Sequence, residues 1–155
     1  MIRRAVAADA PALAGMLRAL NDEPGLEPGL ITPEGVARDL IGDPRALVLV
    51  AAPEGVPQGF ATAHPCYDSG TSRWGTFLND LYVLPSSRRR GLGRALVGAV
   101  AEATLREGGA FVWWDADEGD ELALRFHRGI GAREEATSSF LLAGPGLARL
   151  AAGRG

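Results

Sequence analysis

Apolar residues recur along this chain with two different periods, and the switches between them outline its elements. Ile2 to Val6 reads as a short strand. Leu13, Leu17 and Leu20, with Ala10 and Ala14, then recur three and four apart, the stripe of an amphipathic helix. Asp9 stands where the N-cap of that helix belongs, and Pro11 falls in its first turn. NDEPGLEPGL (21–30) is crowded with Pro and Gly and predicts a loop. Thr32 and Pro33 predict a second helix, capped by the threonine and stopped at Gly42.

Two apolar runs, 46–52 and 58–67, flank PEGVP and predict a hairpin; 74–84 predicts a third long strand. After PSSRRR, residues Leu92, Leu96, Ala99, Val100 and Ala103 give one apolar face to a helix over 91–107, ended by Gly108 and Gly109. AFVWWDAD (110–117) predicts a buried strand. Residues 120–130 predict a short helix with Leu122, Ala123, Phe126 and Ile130 inward, and 134–143 a final strand. The order is β-αα-βββ-α-β-α-β, an α/β (α+β) pattern with a mixed sheet, in a single domain over 1–155.

Composition narrows the classes of function. The 155 residues suit one domain. All sixteen basic residues are arginine, against nineteen acidic ones, and the net charge of −3 argues against a general nucleic-acid binder. No 18-residue apolar run predicts a membrane span, and MIRRAVAADAP has no apolar signal core. The lone cysteine, Cys66, cannot form an internal disulfide, which fits a reducing cytoplasm. His64 and Cys66 flank Pro65, but two histidines and one cysteine without H-x-x-x-H or C-x-x-C spacing predict no metal site. Cys66 is expected to be a small strand residue.

The segment richest in candidate chemistry is Arg88-Arg89-Arg90-Gly91-Leu92-Gly93-Arg94, between the long third strand and the helix after it. Gly91 and Gly93 let the backbone approach a phosphate, and a helix start favours an anion through its free N–H groups and dipole. The arginines add bidentate donors. There is no G-K-[ST], and a third glycine of G-x-G-x-x-G would fall at Leu96, so neither a P-loop nor a dinucleotide fingerprint is present. Taken alone, the pattern fits either a phosphate cradle or a solvated arginine run ahead of an ordinary helix.

The run R-x-x-G-x-G resembles the coenzyme A pyrophosphate motif of the GNAT (GCN5-related) N-acetyltransferases. Phe77 to Pro85 before it looks like that family's fourth strand. Ala123, Phe126, Gly131 and Ala132 match its A-x-x-F-Y-x-x-x-G-A helix. The likeness covers nearly the whole chain, and L-x-D-L-Y-V is most similar to the diamine (spermidine/spermine) branch, as is the ending FLLAGPGLARLA. The resemblance implies the GNAT fold and transfer of acetyl from acetyl-CoA directly to a primary amine, without a covalent enzyme intermediate at Cys66. The amine would belong to a polyamine-like or amino-acid-like molecule or to a peptide. It implies no metal, no nucleic-acid or membrane partner, and a homodimer joined through the final strand.

Carried over residue by residue, backbone groups of Leu81, Tyr82 and Val83 would line the pantetheine arm, with the Leu81 N–H as the oxyanion donor and the Tyr82 ring in packing. Arg88, Arg89, Arg90, Gly91, Leu92, Gly93 and Arg94 would hold the pyrophosphate. Asp120 and Ala123 would border the cofactor at the start of the penultimate helix. Three positions depart from the family: Asn79 stands for its glutamate, Asp120 for its asparagine, and His127 for its tyrosine.

The reaction sets the roles. The amine must be neutral, although a Lys-like amine has a pKa of about 10.4; Asp80 is the candidate to orient or deprotonate it. The oxyanion needs fixed N–H donors. The leaving thiolate needs a proton, which His127 in the tyrosine's place would supply. Acidic residues at 22, 23 and 27, and Asp115, Asp117, Glu118, Asp120 and Glu121, could draw a polycation or could simply be solvated. The competing reading is a non-catalytic acyl-CoA-binding sensor or subunit. A nucleotide-dependent kinase is disfavoured by the missing P-loop lysine.

Overall fold

The computed structural model describes residues 1–117 and 119–153. The chain divides into two compact units, Met1–Asp117 and Glu118–Gly155.

The first unit is built on a five-stranded sheet: β1 (Ile2–Arg4), β2 (Leu47–Ala51), β3 (Gly59–Asp68), β4 (Arg73–Val83) and β5 (Val112–Trp113). The first four strands are antiparallel neighbours, and β5 joins β4 in parallel. β2 is apolar at every position because both its faces are covered. Val48 and Val50 pack on one face with Leu13, Ala14 and Met16 of α1 (Ala10–Leu20), with Val36, and with Phe60. Leu49 and Ala51 pack on the other with Leu78 and with Leu96 and Val100 of α3 (Leu92–Arg106). Leu96 and Val100 are wholly buried, and burying such a side chain contributes about 1.5–3 kcal/mol.

The second helix, α2, opens at Pro33–Gly35 and continues as a π-helical stretch, Val36–Ile41. Thr32 caps it as predicted, its hydroxyl accepting the Gly35 N–H at 3.1 Å, and Gly42 follows its end. Asp9 does not cap α1. Its carboxylate accepts two hydrogen bonds from the Arg3 guanidinium, at 2.7 and 2.8 Å, and one from the Val6 N–H at 2.8 Å. These donors engage the carboxylate on the side of β1, and none comes from the first amides of α1.

The second unit holds α4 (Glu121–Gly129) and α5 (Gly144–Ala151). Here three expectations are corrected. Residues 134–143 form no strand: Phe140 and Leu141 are 92% and 91% exposed, and the sequence EEATSSFLLA lacks the alternation that gives a strand one buried face. The chain instead ends in α5, opened by Pro145, which is pre-organised for a first helical turn. Leu122 points outward, 69% exposed, while Ala123, Phe126 and Ile130 are half-buried. In the first unit, the predicted buried strand over 110–117 shrinks to Val112–Trp113, and Trp113 is half exposed. The ladder pairs of β5 with β4 are Thr76↔Val112 and Phe77↔Trp113.

Candidate active site

The site begins with one extra residue. β3 and β4 pair regularly except between Thr62 and Ala63, which face Asp80 and Leu78 and leave Asn79 opposite nothing. This bulge resets the alternation of β4. Period-two alternation would put Leu78 and Asp80 on one face. Instead Leu78 and Leu81 share the α3 side, while Asp80 and Tyr82 turn to the α1 side.

The backbone is re-aimed too. Before the bulge, the Thr76 N–H donates to the Phe111 carbonyl at 2.9 Å, and the Trp74 carbonyl accepts from Ala110 at 2.8 Å, so even-numbered residues face β5. Beyond it, the Leu84 N–H donates to the Gln58 carbonyl at 2.9 Å, so even-numbered residues face β3. The backbone groups of Leu81 and Val83 therefore face the β5 side. The β4–β5 ladder has already ended at Phe77↔Trp113, so among the described residues no strand pairs with that edge. One of its carbonyls, that of Val83, accepts the Arg88 Nε–H at 3.0 Å.

The turn that follows folds onto the same end of β4. Ser87 is buried and its hydroxyl donates to Gln58 Oε1 at 2.8 Å, pinning the turn to the start of β3. Sequence reasoning missed this residue; a serine between Pro85 and three arginines carries no signal of its burial. Gly91 adopts φ +79°, and a Cβ built there meets nothing within 4 Å. The glycine is needed for its left-handed backbone, and the space beside it is open. Arg89 is also left-handed, at φ +60°. The first intrahelical bond of α3 runs from the Ala95 N–H to the Gly91 carbonyl, so the amides of Leu92, Gly93 and Arg94 have no partner within the helix. Arg89, Arg90 and Arg94 are exposed, and among the described residues no carboxylate pairs with them.

On the opposite face of the sheet, two polar pairs bridge β3 and β4. The Thr62 hydroxyl donates to the Asp80 carboxylate in a short contact. His64 Nδ1 lies 2.7 Å from Asn79 Oδ1, and its ring stands 5.6 Å from that of Phe77. Tyr82 packs against Phe60, ring centres 6.2 Å apart, as expected of a packing residue. Burial pushes the Cys66 thiol above its ordinary pKa, and Asp68 adds to the shift. That makes it a poor nucleophile at neutral pH.

In the second unit, Asp120 caps α4 by accepting the Ala123 N–H at 3.0 Å. His127 follows in α4, its ring edge-on to Phe126 at 5.3 Å. Burial lowers its pKa from the ordinary value, with the Asp120 charge pulling the other way. Asp22, Glu23, Glu27, Asp115, Asp117, Asp120 and Glu121 are all exposed; Glu118 lies outside the described residues. No group of metal-ligating side chains occurs among the described residues, and no helix among them is long and apolar enough to cross a membrane.

Comparison with known proteins gives the family. An L-ornithine N5-acetyltransferase of Arabidopsis thaliana is 30% identical over half of this chain and 34% of its own length. An aminoglycoside N(6')-acetyltransferase of Klebsiella aerogenes is 38% identical over 38% of this chain and 40% of its own length. The chain thus spans well under half the length of these curated relatives. A solved aminoglycoside N-acetyltransferase in complex with CoA shares the fold, with a TM-score of 0.74 at 23% identity over 91% of this chain and 97% of that one. The sequence profile of the acetyltransferase (GNAT) family matches residues 13–132, and the chain belongs to that family.

Proposed function

We propose that this protein moves an acetyl group from acetyl-CoA directly to a primary amine. The observation that carries the reading is the edge of β4 that no strand pairs, with the Leu81 and Val83 amides aimed into it, running into a helix start flanked by arginines that no carboxylate pairs among the described residues. Acetyl-CoA supplies the acyl group and its thiol leaving group. The Leu81 N–H donates to the thioester oxygen as negative charge develops there, and fixed donors of this kind are among the largest catalytic terms. Leu81, Tyr82 and Val83 line the pantetheine arm. The amides of Leu92, Gly93 and Arg94, with Arg88, Arg89 and Arg90 around Gly91, hold the pyrophosphate. Asp80 draws in and orients the amine. Asp120 and Ala123 border the cofactor, and His127 donates the proton to the departing thiolate. The family match runs across Asp117, which supports a single domain.

The relatives named above act on ornithine and on aminoglycosides. Both are small molecules carrying several amines. We therefore place the acceptor among small cationic amines, a class that the half-buried Asp80 carboxylate would attract. The exposed Phe140 and Leu141 support self-association as a homodimer, which light scattering at micromolar concentration checks.

The test is thiol release from acetyl-CoA with a panel of ornithine-like, polyamine and aminoglycoside acceptors. Turnover of any of them supports transfer; acetyl-CoA binding with no turnover on the panel would leave a binding module. Gly91→Val should weaken acetyl-CoA binding, because left-handed backbone costs a β-branched residue roughly 1–2 kcal/mol and its methyls would fill the open space. His127→Phe should lower turnover by roughly 10²-fold with acetyl-CoA affinity unchanged.

A further inference from the structure

The acceptor amine arrives in water as an ammonium and must lose a proton before it attacks. We propose that His64 takes that proton, with Asn79 as the residue that positions it. The inference rests on the acetyl-transfer reading and adds the proton acceptor to it.

Three observations carry it. The first is the tautomer. His64 Nδ1 lies 2.7 Å from Asn79 Oδ1, an oxygen that can only accept, so Nδ1 bears the hydrogen and Nε2 bears the lone pair. The histidine is exposed, and Phe77 packs beside its ring at 5.6 Å. Two contacts thus set its orientation and leave the basic nitrogen in reach of a ligand.

The second is the bulge. Because Asn79 faces no residue of β3, its side chain is available to reach across to His64. The same extra residue turns the Leu81 amide into that edge of β4. Asn79 and Leu81 are two residues apart, about 7 Å of strand. His64 itself stands on β3 opposite Phe77, so a proton leaving an amine near Leu81 would travel along this stretch of β4 to the His64–Asn79 pair through water.

The third is the division of labour with the neighbouring pair. Asp80 keeps the Thr62 hydroxyl, and the two pairs sit next to each other across the same two strands. A carboxylate is a weak acceptor for an amine proton, since its reference pKa is about 4 against about 6.5 for an imidazole. Asp80 holds the ammonium by charge. The ammonium passes its proton to Nε2 through water. The neutral amine then forms the C–N bond, the C–S bond breaks, the His127 proton goes to the departing thiolate and is replaced by the second proton lost from the nitrogen, and the imidazolium returns the first proton to solvent.

The test uses the full chain with acetyl-CoA and an amine that the unaltered protein accepts. His64→Ala and His64→Gln should lower kcat by roughly 10²-fold while leaving acetyl-CoA affinity and the thermal midpoint unchanged. Free imidazole should restore part of the rate of His64→Ala. Asn79→Ala should lower kcat more than it raises the KM of the amine. Either His64 variant at full kcat, or a loss in His64→Ala that imidazole does not restore, overturns the assignment while leaving acetyl transfer intact. An unaltered chain that turns over no amine overturns both.

Discussion

Asp9 and Asp80 are aspartates of the same sheet-based unit, and they are held in opposite ways. Asp9 is buried and fully engaged by cationic and backbone donors: two bonds from Arg3 and one from the Val6 N–H. Those bonds, the Arg3 pair foremost, pull its carboxyl below the ordinary carboxylate range against the opposing effect of burial. Asp80 is half-buried and has a hydroxyl donor from Thr62. Among the described residues no cation pairs with it. A carboxylate whose charge is answered inside the fold serves stability. One whose charge is left for something else to answer is a place for a cationic ligand.

The comparison can be broken in order of expected effect. Asp80→Asn keeps the shape and removes the charge. It should lower kcat/KM for a cationic amine by roughly 10–100-fold, since a hydrogen bond to a charged group contributes about 1.5–3 kcal/mol and each 1.4 kcal/mol is tenfold. Its thermal midpoint should stay within a few degrees of the parent. Asp9→Asn should do the reverse. The fold should lose about 1–3 kcal/mol, read as a lower midpoint in thermal unfolding, with kcat at a permissive temperature unchanged. If Asp9→Asn costs activity and Asp80→Asn costs stability, the distinction is wrong.

Acid titration sharpens it. Because Asp9 has a lowered pKa in the fold, the unfolded chain binds a proton there first. Its stabilisation is complete above the ordinary carboxylate pKa of about 4 and is lost as pH falls through the lowered value. The unfolding midpoint of the parent should therefore drop more steeply below about pH 4 than that of Asp9→Asn. The smallest effect belongs to Thr62→Val, which removes one neutral donor from Asp80. A loss near 1 kcal/mol corresponds to a roughly fivefold rise in the KM of the amine.

How much of this is legible in the sequence depends on whether a signal is local. The α1 and α3 stripes, the Thr32 cap, the hairpin over 46–67 and the glycine at the start of α3 are read directly, because each rests on spacing or on one residue's backbone preference. Asp9 misleads, since the N-cap rule sees the carboxylate but not Arg3, six residues back in sequence and next to it in space. The final strand fails for a related reason: an apolar run such as FLLA becomes a strand only with a neighbouring edge, and adjacency is not written in a short window. The bulge leaves a trace. In Leu78-Asn79-Asp80-Leu81-Tyr82-Val83, two polar residues in succession break the alternation that a regular strand would keep. The His64–Asn79 pair follows from that irregularity, and no motif marks it.

The strands of the sheet lie side by side in the same order as along the chain, β1-β2-β3-β4-β5. This has a kinetic consequence. The three central strands form a meander closed by two short connections, so their pairing costs little loop entropy and can form early. The parallel pairing of β5 must wait until α3 has packed across the sheet. The bulge, the Thr62–Asp80 pair and the His64–Asn79 pair all lie within the early meander. The polar face of the site would then be assembled before the chain that flanks its β4 edge arrives.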